Sequence, residues 1–79
     1  MDKFLVYTDG GARGNPGPAA IGVVISDEKG QVLKEYGEYI GETTNNEAEY
    51  RAAIFALKKI KSLWGKETVK SAEVQVFAD

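Results

Sequence analysis

The amino-acid sequence predicts an α/β domain with a mixed sheet, its elements in the order β-β-β-α-β around one main helix. Three observations lead there. Short β-favouring runs are separated by glycine- and proline-rich punctuation at residues 10–18 and by Asp27-Glu28-Lys29-Gly30. A single long stretch of helical periodicity falls between the third and fourth runs. The balance of 43% hydrophobic to 28% charged residues over 79 positions is that of a folded globular chain, not a disordered one.

Residues 4–8, Phe-Leu-Val-Tyr-Thr, run apolar without alternation, which predicts a strand buried on both faces. Asp9-Gly10-Gly11 ends it, and residues 10–18 are too rich in glycine and proline for helix or central strand, so they read as a loop. Residues 21–26 form a second strand. Gly30 suits the positive-φ position of the turn that follows, and residues 31–40 return as a third strand, in a hairpin with the second. Thr43-Thr44-Asn45-Asn46 is a cluster of helix-capping residues, and Thr44 with Glu47 three positions on reads as a capping box. From 44 to 64 the apolar stripe Tyr50, Ala53, Ile54, Leu57, Ile60 and Trp64 follows helical spacing. Lys58, Lys59 and Lys61 suit the negative end of the helix dipole, and Gly65 stops the helix. After a polar link, residues 73–78 form the fourth strand. The helix between strands three and four makes a crossover that pairs strand four parallel to strand one, with strands two and three expected antiparallel to it. One helix covers only one sheet face. The other face and the strand-four edge are left open, which predicts either dimerisation or further protein.

Residue usage narrows the chemistry. The absence of Cys excludes a disulfide scaffold, a thiolate zinc site and a cysteine nucleophile. The absence of His excludes imidazole bases and imidazole metal sites. Carboxylates, Lys and Arg, hydroxyls, amides and backbone remain, a set that points to oxygen-ligated metals if a metal is used. A net charge of −2 argues against tight, metal-free, non-specific nucleic-acid binding, although bound divalent cations reverse the field at one site. No apolar run approaches membrane-spanning length, and Met1-Asp2-Lys3 lacks a signal-peptide layout, so the expectation is a cytoplasmic protein with no membrane partner.

Asp9 ends the first strand and Asp79 the fourth. If those strands are adjacent and parallel, both carboxylates emerge at the sheet edge where open α/β sheets place ligands. Glu49, early in the helix, can reach the same edge. Carboxylates gathered there repel unless a cation neutralises them, and Mg²⁺ or Mn²⁺ prefers such oxygen donors. Taken singly, Asp9 reads as a turn former and Glu49 as a residue serving the helix dipole. The glycine-rich segment is neither a P-loop nor a dinucleotide fingerprint. It lets backbone amides approach a ligand, with Arg13 and Asn15 as polar handles. Thr43 to Asn46 either cap the helix or hold a phosphate through hydroxyls, amides and helix-start N–H groups.

Taken together, Thr8-Asp9-Gly10-Gly11, Gly14-Asn15-Pro16-Gly17-Pro18-Ala19, Thr43-Thr44-Asn45-Asn46-Glu47-Ala48-Glu49 and Val76-Phe77-Ala78-Asp79 resemble, in order across the whole chain, the type 1 ribonuclease H family. The resemblance implies a ribonuclease H-like mixed sheet and a metal-dependent endonuclease that cuts the RNA strand of an RNA–DNA hybrid. It implies Asp9, Glu49 and Asp79 as catalytic metal ligands for Mg²⁺, with Mn²⁺ as a substitute; Glu49, three positions after Asn46, takes the second place and leaves Glu47 as a cap residue. Gly10, Gly11, Arg13, Asn15, Thr43, Thr44, Asn45 and Asn46 fall on the expected hybrid-binding surface, where the 2′-hydroxyl marks the strand to be cut. In the family a fourth carboxylate and further helices follow the third carboxylate. Residues 1–79 are therefore expected to form a single, incomplete domain, cleaving weakly or only as a homodimer joined through the uncovered sheet face or the strand-four edge. The alternatives are a catalytically inactive nucleic-acid-binding module and a fragment of a longer ribonuclease H without function alone. Metal-dependent cleavage separates the first reading from these.

Overall fold

In the computed structural model, which describes residues 3–78, the elements run β1 (Lys3–Ala12), β2 (Gly17–Asp27), β3 (Val32–Thr43), α1 (Asn45–Trp64), α2 (Lys66–Ser71) and β4 (Glu73–Ala78). The sheet order is β3-β2-β1-β4. β1 is thus central, antiparallel to β2 from Phe4 opposite Asp27 to Ala12 opposite Ala19, and parallel to β4 from Lys3 beside Glu73 to Thr8 beside Ala78. The crossover through α1 produces the parallel pair, as the sequence predicts. β3 is antiparallel to β2 and so runs in the same direction as β1. The expectation that strands two and three both oppose strand one therefore fails for β3. The turn at residues 27–31 reverses the chain a second time: the Asp27 carboxylate accepts from the N–H groups of Lys29 and Gln31, both at 2.9 Å, and Gly30 sits at φ 85°.

The first two strands are longer than their apolar runs. Gly10, Gly11 and Ala12 continue β1, and Gly17 and Pro18 open β2, so the loop expected over residues 10–18 is confined to 13–16. Small residues read as loop in isolation, yet cross-strand pairing with Ile21, Ala20 and Ala19 holds them extended. Burial along β1 alternates: Phe4, Val6 and Thr8 are buried, whereas Tyr7 is 45% exposed. The strand expected to be buried on both faces is thus covered on one, because among the described residues α1 lies on that face alone. Tyr7 stacks on Phe77 of β4 on the open face, ring centroids 5.1 Å apart. The polar link between α1 and β4 contains the short helix α2, which the sequence reading did not include.

The core is built from Phe4 and Val6 of β1, Val23 and Ile25 of β2, and Ala56 and Ile60 of α1. Trp64 closes one end against Phe4, ring centroids 4.8 Å apart. α1 buries Ala48, Ala52, Ala56 and Ile60, every fourth residue. The expected stripe holds at Ile60 and Trp64 but fails at Tyr50, 65% exposed, and Leu57, 42%. The seam selects small side chains because the first turn of α1 lies almost on the backbone of β1, and alanine permits that approach. No helix among the described residues is long and apolar enough to cross a membrane.

Thr44 is the N-cap of α1, its hydroxyl accepting from the Glu47 N–H at 3.2 Å. Only half of the expected capping box forms, since the Glu47 carboxylate turns to Arg51 Nε at 3.2 Å. Thr44→Ala is expected to cost about 1 kcal/mol, lowering the melting midpoint by roughly 4–8 °C in a domain of this size. Thermal unfolding followed by circular dichroism checks this, and an unchanged midpoint would show that the cap contributes nothing.

Candidate active site

The site begins with a contact that excludes any side chain. Gly10, one residue past Asp9, faces the first turn of α1 so closely that a Cβ there would lie 2.7 Å from the Glu49 backbone nitrogen and nearer still to the Ala48 carbonyl. Glycine is the one residue that fits. The consequence is positional: Asp9 precedes the contact point on the strand, and Glu49 is part of it on the helix. Both carboxylate residues are exposed. Among the described residues neither takes part in an ion pair; the two that form are Lys3 with Glu73 at 3.7 Å and Arg51 with Glu47 at 3.2 Å. Glu47, two positions from Glu49, is thereby held by a cation while Glu49 is not.

Two carboxylates with no competing cation, and no nitrogen or sulfur donor, suit a hard divalent ion such as Mg²⁺ or Mn²⁺. Among the described residues no group of three acidic side chains is gathered closely enough to hold a metal. The third expected ligand, Asp79, lies outside the described residues. Ala78, which precedes it, pairs in parallel with Thr8, which precedes Asp9.

The other expected positions divide into two groups. Gly10 and Gly11 are strand residues of β1, and Thr43 is the last residue of β3, opposite Gly17. Arg13, Asn15, Asn45 and Asn46 are exposed at the loop and helix start. Asn45 Oδ1 accepts from the Ala12 N–H at 2.6 Å, and the Asn45 N–H donates to Asn15 Oδ1 at 3.1 Å. The Arg13 N–H donates to the Pro18 carbonyl at 2.8 Å and closes the loop. The phosphate cradle expected from helix-start N–H groups is largely filled from within: Asn45 donates to Asn15, Glu47 to the Thr44 hydroxyl, and Ala48 to the Thr44 carbonyl at 3.0 Å. Of the orphan donors of the helix start, Asn45 and Glu47 are thus satisfied by the chain itself, and the Ala48 bond is the first of the helix.

Two shallow grooves are lined by sheet and loop residues, with none from α1. One of about 550 Å³ is lined by Asp9, Tyr7, Gly22, Val24, Glu35 and Phe77. The other, of about 490 Å³, runs past Gly11, Arg13, Pro18, Ala20 and Tyr39. Tyr39, 71% exposed, was not anticipated as a groove residue. Its signal was available in principle: it pairs with Ala20, itself paired with Gly11, and this small-residue row leaves one aromatic ring standing over a low floor.

The RNase H family model matches residues 1–79. Ribonuclease HI of Halobacterium salinarum is 54% identical over 56 residues, covering 71% of this chain and 28% of that protein. The structure of LC11-RNase H1, isolated from compost by a metagenomic approach, superposes with a TM-score of 0.89 at 59% identity, covering 100% of this chain and 55% of the other. The structure of LC11-RNase H1 in complex with RNA/DNA hybrid superposes with a TM-score of 0.87 at 59% identity, covering 95% and 53%. The chain thus spans about half the length of these solved relatives and less than a third of the Halobacterium one.

Proposed function

The chain belongs to the RNase H family, and from that premise we propose that it serves hydrolysis of the RNA strand of RNA–DNA hybrids at the edge where β1 meets the first turn of α1. The observation that carries this reading is the seating of Gly10 against Ala48 and Glu49, which brings the Asp9 and Glu49 positions together as carboxylates free of ion pairing among the described residues. The hybrid complex of LC11-RNase H1 supports the substrate.

In this reading Asp9, Glu49 and Asp79 hold divalent cation, Mg²⁺ or Mn²⁺. A bound cation of this kind stabilises charge on a phosphoryl oxygen and lowers the pKa of its water. The chain's own residues do the binding and positioning. Arg13, exposed in the loop, offers a guanidinium fork to a backbone phosphate. Gly10 seats the strand against the helix, and Gly11 beside it keeps the strand end low, so that a sugar–phosphate backbone can come close to Asp9. Asn46 and Thr43 flank the helix start, where a 2′-hydroxyl, donor and acceptor at once, distinguishes RNA from DNA. Self-association over the open face of Tyr7 and Phe77 belongs to the same proposal, and is read from the molar mass of the active species.

Incubating the 79-residue chain with an end-labelled RNA–DNA hybrid in Mg²⁺ or Mn²⁺ tests the reading. The expected result is cutting confined to the RNA strand, none in the matching DNA duplex, and binding that weakens as salt rises. Hybrid binding without cleavage by folded protein would favour an inactive binding module. Neither binding nor cleavage would favour a part that needs the rest of a longer enzyme.

A further inference from the structure

Asn15 and Asn45 are exposed amides, the kind of side chain that invites assignment to a ligand. Their hydrogen bonds assign them first to each other's segments. The Asn45 carboxamide oxygen accepts from the Ala12 N–H at 2.6 Å, tying the last residue of β1 to the first residue of α1 across 33 positions of sequence. The Asn45 N–H donates to Asn15 Oδ1 at 3.1 Å, tying the loop to the same helix residue across 30 positions. Most other side-chain hydrogen bonds in the described chain connect residues no more than four apart. These two alone join β1, the loop and the helix start. Both lie on the loop side of the Gly10 contact, where β1 touches Ala48 and Glu49 with no side chain between them.

We propose that Asn15 and Asn45 are positioning residues, a two-bond latch that sets the separation of Asp9 on the strand from Glu49 on the helix. Gly10 removes the steric obstacle to close approach but supplies no attraction of its own. The latch adds a polar one at this end of the helix, through one backbone donor on the strand and one on the helix. The geometry also orients Asn45: its oxygen points inward at Ala12, so its Nδ2 donors are the part left for any outside group. A ligand atom met there must be an acceptor, such as a phosphate oxygen or a ribose O2′ lone pair. The proposal rests on the reading of this edge as the metal site, and its test separates the two.

Amide hydrogen exchange on the 79-residue chain reads the latch directly, without metal or nucleic acid. Asn45→Ala should speed exchange at Ala12, and Asn15→Ala at Asn45, each by about tenfold, the equivalent of losing one net hydrogen bond. Asn15→Asp keeps the acceptor oxygen and should restore slow exchange at Asn45. In the same proteins, Mn²⁺ affinity measured by calorimetry should fall with either alanine and recover with Asn15→Asp. Alanine variants with unchanged exchange, or with weakened hybrid binding but undiminished Mn²⁺ affinity, would overturn the latch and return both residues to plain ligand contacts. A parent chain that binds no Mn²⁺ would overturn the metal reading instead, and exchange at Ala12 and Asn45 would then decide the latch alone.

Discussion

Asp9→Asn is expected to leave the fold as it is and to reduce divalent-cation-dependent cleavage of a hybrid by about 10²–10³-fold, the loss typical of deleting one preorganised electrostatic group. The substitution keeps size and shape and removes one negative charge. Asp9 is exposed and joins no ion pair among the described residues, so nothing in the fold leans on that charge. Its removal should change stability by no more than about 0.5 kcal/mol. The two readouts must be taken together. Parallel melting curves with cleavage lost place the charge in the chemistry. Undiminished cleavage would remove Asp9 from the site and, with it, the edge at which β1 meets α1. Mn²⁺ titration of the same pair gives a third reading, since a carboxylate donor set that loses one member should bind the ion more weakly.

Gly10→Ala should be the more damaging change to structure. The added methyl would be driven into backbone, the Ala48 carbonyl and the Glu49 nitrogen, rather than into a side chain able to swing aside. Overpacking of this kind costs about 3 kcal/mol or more when the obstacle cannot yield. A chain of this length holds only about 4–12 kcal/mol of net stability in total. The melting midpoint should fall by at least about 12 °C, taking roughly 4–8 °C per kcal/mol for a small domain. Gly11→Ala is the control one residue away. A methyl there would meet nothing closer than Asn45 Oδ1 at 3.8 Å, so its midpoint should stay near the parent's. Equal melting of the two variants would show that the close approach of helix to strand is not a constraint on this fold.

The difference between these neighbouring glycines illustrates what local sequence conveys. The Gly30 turn, the Thr44 cap and the order of the strands and main helix were legible because each depends on a few adjacent residues: a positive φ, a hydroxyl three positions from an amide, a change of hydrophobic period. The parallel pairing of strand four with strand one followed from the helix placed before it. What could not be read was decided across the chain. Gly10 and Gly11 look alike until α1 arrives, and only then does one of them become irreplaceable. The helix seam was misread for the same reason. A size-weighted stripe favoured Tyr50 and Leu57, whereas proximity to β1 selected the alanines 48, 52 and 56. Asn15 was legible as a polar handle and Asn45 as a capping or phosphate-holding residue, but the two were not legible as partners, since their hydrogen bonds span some thirty residues. At the candidate site the residue types were readable and the spacing between strand and helix was not.

β4 has one further consequence, for the order in which the molecule assembles. β1, β2 and β3 are joined by short connections and form a meander of local contacts, whereas Lys3 does not meet Glu73 until seventy positions of chain have been closed into a loop. Loop closure on that scale is entropically costly before its contacts reward it, and such pairings form slowly. β4 is also the least protected strand, with five of its six residues exposed along the edge of the sheet. It is therefore the element expected to dock last in folding and to detach first in local opening. The strand that ends beside Thr8, one residue before Asp9, is then the latest arrival, so the folding barrier and the readiness of that edge for catalysis are governed by the same six residues.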